Sequence, residues 1–224
     1  MTSRSISKRL ATSGLAIAAC LCAPSRADDW PAPQIREVFS HGRDHFVRVV
    51  PGDSWGDTEG FKGAPKGTYA KATFYHRKTD GSYGLGATLT LLNPVAPVEF
   101  FVTDQGNLIT LDNWHNRGYG KVLVLYGPDG SPIKSYELKD LFLEEEIRQF
   151  DHSVSSIAWH KGPAYLQMDQ KALYISLDDL GTDLILDATL GTYRSCKWKD
   201  PKTVKDFVCR STNAGRQWLP WNEK

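Results

Sequence analysis

The sequence predicts a mainly β fold, built of antiparallel hairpins with two short helices. Three observations carry that expectation. Ala87, Leu89 and Leu91 alternate with Thr88 and Thr90, the period of two that places one face of a strand in a core. Turn chemistry recurs between such runs. Asp104-Gln105-Gly106-Asn107 and Gly127-Pro128-Asp129-Gly130 combine a φ-fixing proline, side chains that bond the turn backbone and glycines that accept positive φ. Apolar residues at 41% and aromatics at 11% of 224 positions suffice for a core and exclude a disordered chain.

The elements follow in chain order. Residues 1–27 read as an export signal. Arg4, Lys8 and Arg9 precede an apolar run from Leu10 to Ala23, too short to span a membrane, and Ser25-Arg26-Ala27 fits the small-x-small cleavage rule. Cleavage there leaves residues 28–224 as a single β-rich domain, periplasmic or secreted, with no transmembrane segment. The alternative is a lipoprotein anchored through Cys20, because Ile17-Ala18-Ala19-Cys20 resembles a lipidation box. Cysteine arithmetic favours the first reading: it removes Cys20 and Cys22 and leaves Cys196 and Cys209 as an even pair for one disulfide. The signal holds four basic residues and no acids, so its loss takes the formal net charge from +1 to −3. Scattered basic residues on an acidic chain give no electrostatic footprint for nucleic acid.

Strands are expected over Phe46 to Val50, Tyr69 to His76, Ala87 to Leu91, Val98 to Val102 and Leu108 to Leu111. Val122 to Tyr126 is apolar on both faces, which suggests a strand in the middle of a sheet. Further strands are Ile133 to Leu138, Ser155 to Trp159, Ala164 to Met168, Ala172 to Leu177 and Leu184 to Asp187. Leu143, Ile147 and Phe150 recur at helical spacing, with Asp140 capping the approach. Asp200-Pro201 resembles an N-cap and first helical position, opening a helix with Val204, Phe207, Val208 and Cys209. A bond from Cys196 to Cys209 would pin that helix to the preceding strand.

Gly52-Asp53-Ser54-Trp55-Gly56 matches the G-x-S-x-G pattern of serine hydrolases. A nucleophile elbow needs a helix after the serine, and the following residues, through Tyr69, carry three further glycines and Pro65, which cannot start one. Ser54 is therefore expected in an exposed loop between strands. Asp53, Asp57 and Glu59 are weak candidates for a Ca²⁺ site, without the spacing of an EF-hand. His41 and His45 flank Asp44, yet on an extended segment they stand ~13 Å apart, too far for one ion unless the chain turns at Gly42. No cofactor motif is present.

Leu111 to Gly120, LDNWHNRGYG, is the most distinctive segment. Trp114, His115, Arg117 and Tyr119 offer rings and polar groups able to stack on and hydrogen-bond a sugar or peptide. Asp112 and His115 are weak candidates for an acid–base pair. A structural account competes: a buried Asp112 accepting loop N–H bonds, with Trp114 capping the core. His152 and His160 are the residues that can join this loop in space. Trp218 and Trp221 are expected to fold back over a sheet.

Residues Asn93 to Gly130, NPVAPVEFFVTDQGNLITLDNWHNRGYGKVLVLYGPDG, resemble exported bacterial proteins of unassigned function that carry an N-P-V-x-P-V start, a D-N-W-H loop and a G-Y-G. The resemblance covers about a sixth of the chain; it implies export and transfers no catalytic residue. The hairpins with D-x-G-type turns, and TDLILDATLGTY at Thr182 to Tyr193, are similar to blades of NHL- or YVTN-type β-propeller repeats. About eleven strands fall short of the roughly sixteen of a closed four-bladed propeller. Propeller-blade-like or sandwich sheets, incomplete as a closed propeller, are thus expected. The expected function is a non-catalytic binding or interaction module of the bacterial envelope, its partner an envelope protein, peptide or glycan. The alternative is a hydrolase using the Asp112/His115 pair.

Overall fold

The computed structural model describes residues 30–54, 67–177, 182–198, 207–210 and 219–220. Its strands pair with their chain neighbours throughout. The first sheet is β1 (Arg36–Phe39), β2 (His45–Val50), β3 (Lys71–Arg77) and β4 (Tyr83–Thr90). The second is β5 (Pro97–Val102), β6 (Leu108–Asn113), β7 (Leu123–Tyr126) and β8 (Pro132–Tyr136). Two one-turn helices follow, α1 (Leu138–Leu141) and α2 (Glu144–Ile147), then a small hairpin of β9 (Asp151–His152) and β10 (Ile157–Ala158). The third sheet runs through β11 (Ala164–Leu166), β12 (Ala172–Ser176), β13 (Thr182–Asp187), β14 (Tyr193–Trp198), β15 (Phe207–Arg210) and β16 (Leu219–Pro220). The expected mainly β class, with antiparallel sheets that do not close and two short helices, is what the chain adopts. The turns use the chemistry of their sequences: Gly106 and Gly130 both take φ +84, and Asp129 Oδ1 accepts from the Ser131 amide and hydroxyl.

The second sheet lies between the other two. Leu108, Val124 and Tyr126 pack with Phe100 and Val102 against Val47, Val49, Ala72 and Phe74 of the first sheet. Their neighbours Ile109, Leu111, Leu123 and Leu125 pack the other way, against Leu173, Ile175, Leu184 and Leu186 of the third. Alternate residues of a strand face opposite sides, so a strand apolar at every position needs a partner layer on each. The register Leu108↔Tyr126 and Ile109↔Leu125 keeps each pair on one face.

Tyr126 is only 1% exposed, and its hydroxyl accepts the Leu92 N–H at 2.9 Å. Burial pushes its phenol up to about 12, the Leu92 amide offsetting part of that rise. In the unfolded chain a tyrosine ionises near 10. Between those values the unfolded state releases a proton that the folded state keeps, so stability falls as pH rises through that window. We expect Tyr126→Phe to flatten this alkaline fall, measured as the urea midpoint against pH; an unchanged slope would remove Tyr126 as its source.

Each strand expected from the sequence has a counterpart, and five more appear: β1, β9, β14, β15 and β16. The expected helix at Leu143 to Phe150 is realised as α2, while Leu138, expected to end a strand, opens α1. Asp140 caps α1, its carboxylate accepting the Glu137 N–H at 2.9 Å. The second expected helix is corrected. Phe207–Arg210 is a strand, with Cys196↔Cys209 and Lys197↔Val208 in antiparallel register. Cross-strand pairing to β14 overrides the helical spacing there, since a short Phe-Val-Cys run suits a pleated strand equally well. Cys196 and Cys209 form the expected disulfide, joining two strands rather than a strand and a helix. Asp200, Pro201, Val204, Trp218 and Trp221 lie outside the described residues, as does the signal of residues 1–27.

Two loop expectations also change. Ser54 is 1% exposed, not on an exposed loop, and its amide donates to Thr68 O at 3.1 Å. The chain turns between His41 and His45, with the Ser40 N–H on His45 O at 2.9 Å, so the two histidines do not share an extended segment.

Candidate functional site

The last turn of β6 is polar, yet wholly buried. Asp112 is 0% exposed and takes φ +58, a left-handed conformation that Asp tolerates better than most side chains. That kink turns its carboxylate toward the loop after it. Oδ1 accepts from the Gly118 amide at 3.0 Å and the Trp159 indole at 2.8 Å. Oδ2 accepts from Arg117 Nε at 3.2 Å and faces His160 Nε2 at 3.1 Å. Four donors use the lone-pair directions of a carboxylate. Gly118 is required: at φ +82, a Cβ there would sit 2.7 Å from Ile157 Cβ and from its carbonyl oxygen.

Asn93, Asp112, Asn113 and Tyr119 form one local structure. Asn93 Nδ2 donates to Asp112 O at 3.1 Å and to Asn113 Oδ1 at 2.8 Å. Asn113 Nδ2 in turn donates to Tyr119 O at 2.6 Å. The loop reaches the β9–β10 hairpin through Ile157 N–H on Arg117 O, at 2.8 Å. His160 locks the other side. Its Nδ1 lies 3.1 Å from Gly162 O, so both ring nitrogens face oxygens that only accept.

The structure separates the four expected binding residues. Trp114 is half-buried: its indole donates to Pro31 O at 2.9 Å, and its ring lies 5.4 Å from Trp30. His115 is 9% exposed, takes φ +68 and meets the Trp30 ring edge-on at 6.0 Å. Burial holds its imidazole below the ordinary histidine range. Tyr119 packs against the core between the second and third sheets. Arg117 is the one of the four that lines a cleft of 460 Å³, together with Trp30, Pro31 and Asp151, His152, Ser153, Ser156 and Ala158 of the β9–β10 hairpin.

Arg117 is held at its inner edge. Nε is on Asp112, and Nη2 donates to His160 O at 2.7 Å. His152 Nε2 lies 3.1 Å from Ile147 O, tying the hairpin to α2. Ser156 Oγ is buried and has no hydrogen-bond partner among the described residues.

The carboxylate candidates near Ser54 divide. Asp53 is exposed, and its Oδ1 accepts from the Thr68 hydroxyl at 2.8 Å and from the Thr68 amide. Those bonds hold its carboxyl below the usual range. Asp57 and Glu59 lie outside the described residues. Among the described residues no group of three or more His, Cys, Asp or Glu is placed to hold a metal ion.

Sequence reasoning named Asp112 and Arg117, and pointed to His152 and His160, but missed Trp30, Pro31 and Trp159. The only signal for Trp30 was an aromatic close to the expected cleavage site. Trp159 read as one more apolar strand residue, because a buried indole N–H shows nothing of its partner in the sequence. No protein family, curated protein or solved structure matches the chain, so the meaning of this cleft rests on its own geometry.

Proposed function

We propose that the protein is an exported, non-catalytic binding module of the bacterial envelope, and that the cleft beside Arg117 holds its ligand. The observation that carries this reading is the division of labour in the guanidinium. Its inner edge is fixed by Asp112 and the His160 carbonyl, while its outer edge opens on the cleft. A charged fork held still by buried partners is a preorganised recognition group. An indole on the wall and a volume within the usual range for small-ligand sites support the same reading. The disulfide supports an oxidising compartment.

Against the hydrolase alternative, Asp112 accepts from Gly118, Trp159 and Arg117 and faces His160, a pattern that supports a structural role for this carboxylate. The test is titration of the ¹⁵N-labelled protein with a muramidase digest of peptidoglycan and with a library of short peptides. Signals of the Trp30 indole and Arg117 Nε should move, and Trp30→Ala should weaken the response about tenfold, as for loss of an aromatic wall. Shifts elsewhere with these two signals silent would refute the cleft as the binding face.

A further inference from the structure

We infer that the ligand group seated on Arg117 is a carboxylate carried on a small body that lies against Trp30 and Pro31. The inference rests on the binding reading of the same cleft. Three observations point to it. Arg117 spends its Nε and one Nη2 hydrogen on protein oxygens. The Nη1 pair and the second Nη2 hydrogen have no partner among the described residues. A planar guanidinium presenting N–H groups from both terminal nitrogens matches the two coplanar oxygens of a carboxylate.

Asp112 does not serve Arg117 alone: Oδ2 lies on both Arg117 Nε and His160 Nε2, while Oδ1 accepts from Gly118 and Trp159. The part of this cluster that reaches solvent is Arg117, with a side chain 28% exposed. Asp151, which is exposed, lines the same cleft. A carboxylate brings one negative charge into the cleft, whereas a phosphate dianion would bring a second one toward Asp151.

Ser156 Oγ adds the second donor. It is the orphaned polar atom on the cleft wall, and a hydroxyl turns freely about its Cβ to meet an incoming oxygen. Trp30 and Pro31 supply the apolar wall for the rest of the ligand.

Carboxylates of this size come from peptide C-termini or from sugar acids, and the experiment separates them. The full chain is titrated with N-acetyl-Ala-Ala and its C-terminal amide, and with glucuronic acid and glucose, following the Trp30 indole N–H assigned through Trp30→Phe. In the arm that matches, the acid should bind at least about tenfold more tightly than its neutral twin, the worth of a charge-assisted pair. Ser156→Ala should weaken that acid about fivefold, the worth of one hydrogen bond, with the thermal midpoint unchanged because Oγ bonds nothing in the described protein. Equal binding of acid and twin overturns the carboxylate and leaves the cleft as a binding site. Wild-type affinity in Ser156→Ala overturns the second donor and the inference with it. Silence at Trp30 in both arms overturns the inference; the binding reading itself falls only if the peptidoglycan digest and peptide library are silent there as well.

Discussion

Asp112→Asn should lower the stability of the protein by about 3–5 kcal/mol, the range for breaking a buried charge pair from one side. The side chain keeps its size and its tolerance of φ +58, so the loss isolates charge and acceptor capacity. One oxygen becomes an amide that donates, and it must face either the Gly118 and Trp159 donors or the Arg117 and His160 donors. In either orientation two N–H groups lose their acceptor, and Arg117 loses the carboxylate that neutralises it at its inner edge. The check is the urea midpoint at neutral pH, with Trp159→Phe alongside. That second variant removes one donor while keeping an aromatic ring, and should cost about 1–3 kcal/mol for the bond and the lost ring volume. Because both substitutions touch Oδ1 or its partner, the double variant should lose less than the two single losses added. A loss below about 1 kcal/mol for Asp112→Asn would mean that the carboxylate is not the keystone the geometry makes it.

Opening the disulfide should cost about 3 kcal/mol, the constraint that closing a loop of this length places on the unfolded chain. Cys196 and Cys209 are 13 residues apart and stand opposite one another in register. Among the described residues β16 pairs only with β15, through Val208↔Pro220 and Cys209↔Leu219. The bond therefore anchors the two last strands of the sheet to β14, which continues into the buried interior at Cys196, 1% exposed. Reduction, or Cys196→Ser with Cys209→Ser, should lower the denaturation midpoint. It should also speed amide exchange in β15 well before β6 and β7 respond, since edge strands open locally ahead of a core. Equal acceleration in all three strands would show that the bond supports the whole fold rather than its edge.

Legibility followed local chemistry. Period-two runs and Asp/Gly turns located the hairpins, because strand and turn each depend on residues next to one another. Val122 to Tyr126 announced a central position, and the two packed faces of the second sheet are the reason. Phe207–Arg210 was misread because a short apolar run satisfies helix and strand spacing alike, and only its partner β14 decides. At the site, Asp112 and Arg117 stood out as polar residues in an odd loop. Trp159 and His160 lie 47 and 48 positions away from Asp112, and no spacing rule links residues joined only through packed sheets. Trp114 donates its indole N–H to Pro31 O, 83 positions away, another contact that no spacing rule foretells.

The order in which these layers can form follows from the second sheet. Every sheet is a meander of consecutive strands, so its pairings join neighbours in the chain, the longest link within the first sheet running from Val50 to Lys71. The first sheet nevertheless presents Val47, Val49 and Phe74 to nothing until Leu108, Val124 and Tyr126 have been made. During synthesis it waits, apolar face open, for the segment behind it. Once present, that segment satisfies the first sheet and at the same moment offers the third its own surface. Loss of the second sheet would therefore uncover two apolar faces rather than one.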